Sequence, residues 1–291
     1  LSVSRSLDIT DKGAVCQVCA NKCRIPEGGL GICRARTCRD GKVVCDNYGR
    51  ITSLALDPIE KKPLAMFMPG SMILSVGSYG CNLRCPFCQN AEISMVDSTE
   101  VQISAVSPEA LVDAAEQLKD RGNIGIAFTY NEPLIGYEFL IDTARQIRDA
   151  GMKNVLVSNG SCSREVAMEV IPLMDAMNID LKAFSAAGYK KLGGDIEQTQ
   201  AFIELAAKSM STGGTHLELT TLIVPGFNDS EQDMIEEAKW IASLNDDIVL
   251  HVTRFFPRYK MSDGEPTDVR LVYKLADTAR KYLHNVFTGN C

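Results

Sequence analysis

The sequence predicts an α/β chain, a partial (β/α)6 TIM-like barrel with a cysteine-rich, loop-rich extension at its N-terminus. Three observations point there. From about residue 72, apolar strand-like runs alternate with amphipathic stretches, the pattern of a parallel sheet built from βα units. The 291 residues exceed the usual single-domain size, yet α/β barrels often run that long as one unit. Hydrophobic residues make up 45% and charged residues 23%, an ordinary globular composition that allows a sizeable core. Residues 1–50 differ: they are rich in Cys, Gly and Arg and show little apolar periodicity. The boundary is therefore expected near residue 50, with 51–291 as the barrel.

Each element has its own signal. Strands are expected at Met72–Val76, Ile124–Thr129, Asn154–Ser158, Ala176–Asp180, His216–Val224 and Ile248–Arg254, where apolar and β-branched residues cluster. Helices are expected between them at Pro108–Arg121, Tyr137–Ala150, Arg164–Met174, Thr199–Thr212 and Asp229–Leu244. Ser107 is a plausible N-cap for the first, with Pro108 at its first position and Glu109 next. Gly151 stands where a glycine stop belongs. Asp229 or Ser230 caps the helix carrying Trp240, and Leu271–Leu283 reads as a last helix before Asn285-Val286-Phe287. In such barrels chemistry gathers at the C-terminal ends of the strands.

Charge and cysteine usage narrow the function. A net charge of −7 argues against a broad nucleic-acid footprint. No run of about 20 apolar residues exists to cross a membrane as a helix. Leu1–Asp11 is polar and lacks a signal-peptide core. The missing initiator methionine predicts a trimmed or processed chain. Eleven cysteines without a signal read as metal or redox ligands in a reducing cytoplasm, not as a disulfide framework.

The sharpest motif is Cys81-x3-Cys85-x2-Cys88, directly after the expected strand Met72–Val76. Thiolates are the usual ligands of iron–sulfur clusters, and three of them leave one iron of a cubane open to a small molecule. Zinc sites usually come as two cysteine or cysteine/histidine pairs, and the next cysteine here is the distant Cys162. The loop resembles that of the radical S-adenosylmethionine (SAM) superfamily. That resemblance implies a [4Fe-4S] cluster whose open iron chelates SAM, reductive cleavage of SAM, and hydrogen abstraction from a substrate.

Polar residues fall at later strand ends. Glu132, in Thr129-Tyr130-Asn131-Glu132-Pro133, stands where the superfamily carries a Gly-Gly-Glu segment; Tyr130 and Asn131 replace glycines. Ser158-Asn159-Gly160 matches the end of an Asp-Thr-Asn-Gly segment in pyruvate formate-lyase activating enzymes, with Val157 in place of the aspartate. Asp180 and Lys182 lie two apart and so share a face of an extended backbone. They either orient SAM or form a solvated rim ion pair. Glu218 either hydrogen-bonds SAM or substrate, or pairs with a neighbouring cation. His251 is read as a SAM or substrate contact, and His216 and His284 as structural.

Further blocks extend the resemblance over 14–290. They include Cys16-Gln17-Val18-Cys19, Gly31-Ile32-Cys33-Arg34-Ala35-Arg36, Asp57-Pro58-Ile59-Glu60-Lys61-Lys62-Pro63-Leu64, Pro225-Gly226-Phe227-Asn228-Asp229 and His251-Val252-Thr253-Arg254-Phe255-Phe256-Pro257. Together they resemble the pyruvate formate-lyase activating enzyme-like branch, and in detail the AmmeMemoRadiSam-system radical SAM enzymes. This implies SAM and an electron donor such as flavodoxin or ferredoxin as partners, with a protein or small molecule as substrate. A glycyl-radical-enzyme activase is the neighbouring reading. An iron–sulfur electron-transfer protein or a zinc-binding interaction protein is the alternative from another class.

A second cysteine set precedes the barrel. Cys16, Cys19, Cys23 and Cys33 can supply four thiolates to one centre, with Cys38 and Cys45 nearby and Arg24, Arg34, Arg36 and Arg39 to offset charge. Both a second [4Fe-4S] cluster and a structural zinc that staples a short segment fit this pattern.

Overall fold

The structure, a computed structural model, describes residues 13–291. The polar stretch Leu1–Asp11 lies outside the described residues. Eight strands form one sheet: β1 (Ser53–Pro58), β2 (Met72–Gly77), β3 (Asn123–Phe128), β4 (Lys153–Ser158), β5 (Ala176–Asp180), β6 (His216–Ile223), β7 (Val249–Arg254) and β8 (Val286–Gly289). Their spatial order is the chain order, from β1 at one edge to β8 at the other. β2 to β8 run parallel, and β1 pairs antiparallel with β2. The sheet therefore curves into a partial barrel with two free edges.

Helices α1 (Pro108–Gln117), α2 (Tyr137–Asp149), α3 (Arg164–Val170), α4 (Ala186–Lys191), α5 (Ile196–Ser211), α6 (Glu231–Leu244) and α7 (Val269–Ala279) cover the outside. The Ser107 hydroxyl accepts from the Ala110 amide as the N-cap of α1. Ser230, not Asp229, caps α6. Gly151 closes α2 at φ +69°. Three expectations need correction. β1 and β8 extend the six expected strands to eight, α4 is a short helix not foreseen, and α5 starts at Ile196 with Asp195 as its cap.

Alternation along each strand sets the two faces. Outward residues such as Leu74, Ile126, Leu156, Met177, Leu219 and Leu250 pack with the helices into the main core. Inward, Ile73, Ala127, Val155 and Ala176 meet Ile59 and Leu64 in a small apolar plug at the N-terminal end of the barrel. One inward position further along, the residues become polar: Asn178, Thr220 and His251. The barrel is thus sealed by apolar groups below and opens to a polar cleft above.

Ahead of the sheet, two short hairpins, Ala14–Val15 with Arg24–Ile25 and Arg36–Arg39 with Lys42–Cys45, carry the first cysteines. Arg36 fastens them to α2. Its buried guanidinium grips the Glu138 carboxylate at 2.5 and 2.7 Å and donates to the Ile135 carbonyl at 2.6 Å. A bidentate pair of this kind is strong and geometrically specific.

Candidate active site

A cleft of about 750 Å³ opens at the C-terminal ends of the parallel strands. The loop after β2 carries Cys81, Cys85 and Cys88 into its wall. That loop is pinned on several sides: the Gly80 amide donates to Ile93, the Arg84 amide to Leu192, and the Asn90 side chain to the Tyr130 carbonyl at 2.7 Å. Leu83, Phe87, Leu192, Val224 and Phe255 back Cys85 with apolar surface. Burial pushes the Cys85 thiol up to about 11, against the pull of Lys182. Burial and the Glu132 carboxylate push Cys81 well above the ordinary thiol range. Metal binding at such thiols must displace their protons. No cysteine forms a disulfide.

The donor set fits an iron–sulfur cluster. Among the described residues, the only three Cys, His, Asp or Glu groups with ligand atoms all within 4.8 Å of one another are Asp246, Asp247 and His284, on the exposed surface. No three sulfurs stand that close. Tetrahedral zinc, with Zn–S near ~2.3 Å, draws its sulfurs to about 3.8 Å apart; a cubane holds its terminal thiolates farther apart because four irons lie between them.

Of the strand-end residues singled out from the sequence, Glu132, Ser158, Asn159, Asp180, Lys182 and His251 line this cleft; Glu218 does not. Glu132 is buried and accepts three hydrogen bonds: from the Leu134 amide at 2.9 Å, Ser158 Oγ at 2.7 Å and the Asn159 amide at 2.8 Å. Burial, opposed by these donors, pushes its carboxyl up to about 7. Its side chain thus locks the end of β3 to the end of β4. Asn159 in turn donates to Asn82 at 3.0 Å and to the Cys81 sulfur at 3.7 Å. Lys182 Nζ meets Asp180 at 2.7 Å. Burial opposes the lysine's charge, but Asp180 and the Cys85 thiol hold its pKa above the usual value.

Glu218 has another place. Its carboxylate is fully buried and accepts from the Ala65 and Met66 amides at 2.9 and 2.8 Å, while His216 and His251 meet it at 2.8 and 2.5 Å. It fastens the segment after β1 to β6 and β7, which corrects its reading as a direct SAM contact. His216 belongs to this cluster and stacks on Phe67.

Sequence reasoning assigned no role to one group in the cleft. Tyr130 adopts φ +72°, the left-handed conformation that favours glycine. Its hydroxyl donates to Asp57 at 2.6 Å, Asp57 pairs with Lys62 at 2.9 Å, and Lys62 lies 4.8 Å from the Tyr130 ring centroid. The signal was the block Asp57 to Lys62 beside a tyrosine in a glycine position. Thr253 and Phe287 were missed as well and also line the cleft.

Cys16, Cys19, Cys23 and Cys33 line a second, small pocket, closed by Arg36 and Ile135. Cys38 and Cys45 stand apart: Cys38 meets Glu27 at 3.5 Å, and Cys45 meets Asn47 at 3.0 Å.

Comparison with known proteins agrees with this architecture. Residues 75–238 match the family described as the Radical SAM superfamily. The chain is 36% identical to the uncharacterized protein MJ0808 of Methanocaldococcus jannaschii over 285 residues, 97% of this chain and 83% of that one. It is 24% identical to the pyruvate formate-lyase-activating enzyme of Clostridium pasteurianum over 202 residues, 68% of this chain and 80% of the relative. The solved structure of Streptococcus suis SuiB superposes with a TM-score of 0.58 at 14% identity, covering 74% of this chain and 48% of that chain, and shares the fold.

Proposed function

This chain belongs to the Radical SAM superfamily, and on that premise we propose that it cleaves SAM reductively at a cluster held by Cys81, Cys85 and Cys88 and takes a hydrogen from a substrate in the cleft. The observation that carries the reading is the convergence of those three thiols on one wall of an open cleft of about 750 Å³. When bound, the cluster and SAM supply the one-electron cleavage and the hydrogen abstraction.

The chain's own residues hold and orient. Lys182 and Asp180 present a charge pair suited to the carboxylate and ribose of SAM. Ser158, Asn159 and His251 offer polar contacts on neighbouring strand ends. Glu132 and Glu218 act as positioning residues, the first by fixing Ser158 and Asn159, the second by fixing His251. The four N-terminal cysteines hold a second metal centre, and a flavodoxin or ferredoxin supplies electrons. The similarity to proteins named as pyruvate formate-lyase-activating and 4-hydroxyphenylacetate decarboxylase activating enzymes supports a second reading, in which the substrate is a glycyl-radical enzyme.

The test is Cys85→Ala in anaerobically purified protein with SAM and a reductant. Loss of cluster iron and of deoxyadenosine formation is expected. Deoxyadenosine at the native rate refutes the proposal.

A further inference from the structure

We propose that an acidic one-electron carrier protein docks on the outward face of the loop 81–88, on the cations Arg84, Lys190, Lys191, Arg258 and Lys260, and that the electron for SAM cleavage enters there. This rests on the three-cysteine cluster proposed above.

The loop has two faces. Cys81, Leu83, Cys85, Phe87 and Cys88 line the cleft, whereas Arg84 and Pro86 do not. Arg84 is exposed and Pro86 half-buried, so these two residues turn the other side of the loop to solvent. Each is tied to a basic segment. The Arg84 amide donates to the Leu192 carbonyl at 2.7 Å, directly after Lys190 and Lys191 at the end of α4. The Arg84 stem passes 4.0 Å from where a Cβ of Gly193 would stand. The Lys260 amide donates to the Pro86 carbonyl at 3.0 Å, two residues after Arg258. Met261 then anchors that segment in the apolar group around Cys85 and Phe87. Arg84 and Pro86 are two residues apart, at most about 7 Å along an extended chain. Both basic segments therefore flank one short stretch of the loop that carries the thiols.

Charge sets this face apart. The chain carries a net charge of −7. Yet all five cations are exposed, and none forms an ion pair with a described residue. Two nearby acids are turned to other partners: Asp195 accepts from the Glu197 amide as the cap of α5, and Asp263 meets the Ser262 hydroxyl at 3.2 Å. Phe256 and Tyr259 stand among the cations, 45% and 42% exposed, with Arg254 and Lys260 over their rings at 4.8 and 5.3 Å. Aromatic residues and arginine are enriched at the centres of interfaces, and unpaired cations steer in a partner of opposite charge. Transient redox complexes bury less than about 1,200 Å² in total, so one loop and its two flanks suffice.

The position selects an electron carrier over other acidic partners. None of the five cations lines the cleft, so a protein bound here leaves the cleft free. What it reaches is the outer side of a loop whose inner side presents Cys85 and Cys88. The carrier is oxidised by one electron, the centre held by the three thiols is reduced by the same electron, and no bond changes in the transfer.

The probe is reduced flavodoxin, an acidic flavin carrier, with full-length holoprotein purified anaerobically. The variant Lys190→Glu/Lys191→Glu/Arg258→Glu/Lys260→Glu should accept electrons from flavodoxin at least about tenfold more slowly per bound cluster, the lower end of what electrostatic steering contributes. Its iron per chain and the extent of its reduction by dithionite, a small reductant that needs no docking face, should match wild type. An unchanged flavodoxin rate overturns the docking face. So does binding of bulk tRNA that the variant loses while its flavodoxin rate stands, a result that assigns the cations to RNA. Should the variant lose iron, wild type alone decides. Its flavodoxin rate should fall steeply between about 0.01 M and about 0.15 M salt, as the screening length shortens from ~30 to ~8 Å, and a flat profile overturns the proposal. If wild type with dithionite and SAM forms no deoxyadenosine, the cluster reading fails, and the docking face with it.

Discussion

Replacing Glu218 with glutamine separates a strut from a cofactor ligand. The carboxylate is fully buried and accepts from two backbone amides and meets two histidines. Burial alone would raise its pKa, but His216, His251 and the amides of Ala65 and Met66 draw it from 4.5 down to about 2. A depressed carboxyl stabilises the fold above its unfolded pKa, and that contribution fades as pH falls from 4.5 through about 2. At about 1.4 kcal/mol per pH unit, the contribution at pH 7 is on the order of 3 kcal/mol. Glutamine keeps one acceptor oxygen and turns the other into a donor, so one of the two amides loses its partner. Urea unfolding of Glu218→Gln should show a deficit of about 3 kcal/mol at pH 7, shrinking to about half near pH 3. Folded Glu218→Gln should still bind SAM within a few-fold of wild type, because the carboxylate does not line the cleft. A variant as stable as wild type at pH 7 that has lost SAM binding refutes the strut and restores the direct contact.

Two further outcomes follow from the same geometry. Glu237 is fully buried on α6, with Thr221 Oγ1 as its hydrogen-bond donor, and burial pushes its carboxyl up to about 8. A raised carboxyl is protonated in the fold and ionised in the unfolded chain, so stability should fall as pH rises from 4.5 towards 8. Glu237→Gln should flatten that slope and raise Tm at pH 8; a variant no more stable than wild type at pH 8 contradicts it. Gly80→Ala places a methyl group against the Cys33 carbonyl in a left-handed backbone position at φ +85°. Iron bound at the Cys81 loop and metal bound at the N-terminal cysteines should drop together in this variant, whereas loss confined to one set would mean the two loops move independently.

Most of the sheet was legible in the sequence because its strands are buried on both faces and read as apolar runs. Met72–Gly77, Asn123–Phe128 and Lys153–Ser158 fall within a residue or two of expectation. The edges were not legible, for a physical reason. β1 exposes Leu54 and carries Asp57 and Pro58, so its pattern is neither a clean alternation nor an apolar run. β8 has only four residues, too few to show a period of its own, and in the structure it pairs with β7 and packs against α7.

The candidate site divides along a similar line. A local motif announces chemistry when its ligands share one loop, as Cys81, Cys85 and Cys88 do. Charged residues at strand ends were legible as a set, but not the atoms they serve. Glu132 and Glu218 both face inward, yet each spends its oxygens on backbone amides and neighbouring side chains and so builds the walls of the cleft. Asp180 and Lys182 carry the same charges, but their mutual pair leaves both half-buried and turned towards the open space. The difference lies in partners from distant segments, Ala65 for Glu218 and Asn159 for Glu132, which no spacing along one strand encodes. The same holds for the two cysteine sets. They are separated by about fifty residues in the chain, and a glycine without a side chain, Gly80 against the Cys33 carbonyl, together with the Asn21 side chain donating to the Asn82 carbonyl, brings their loops together.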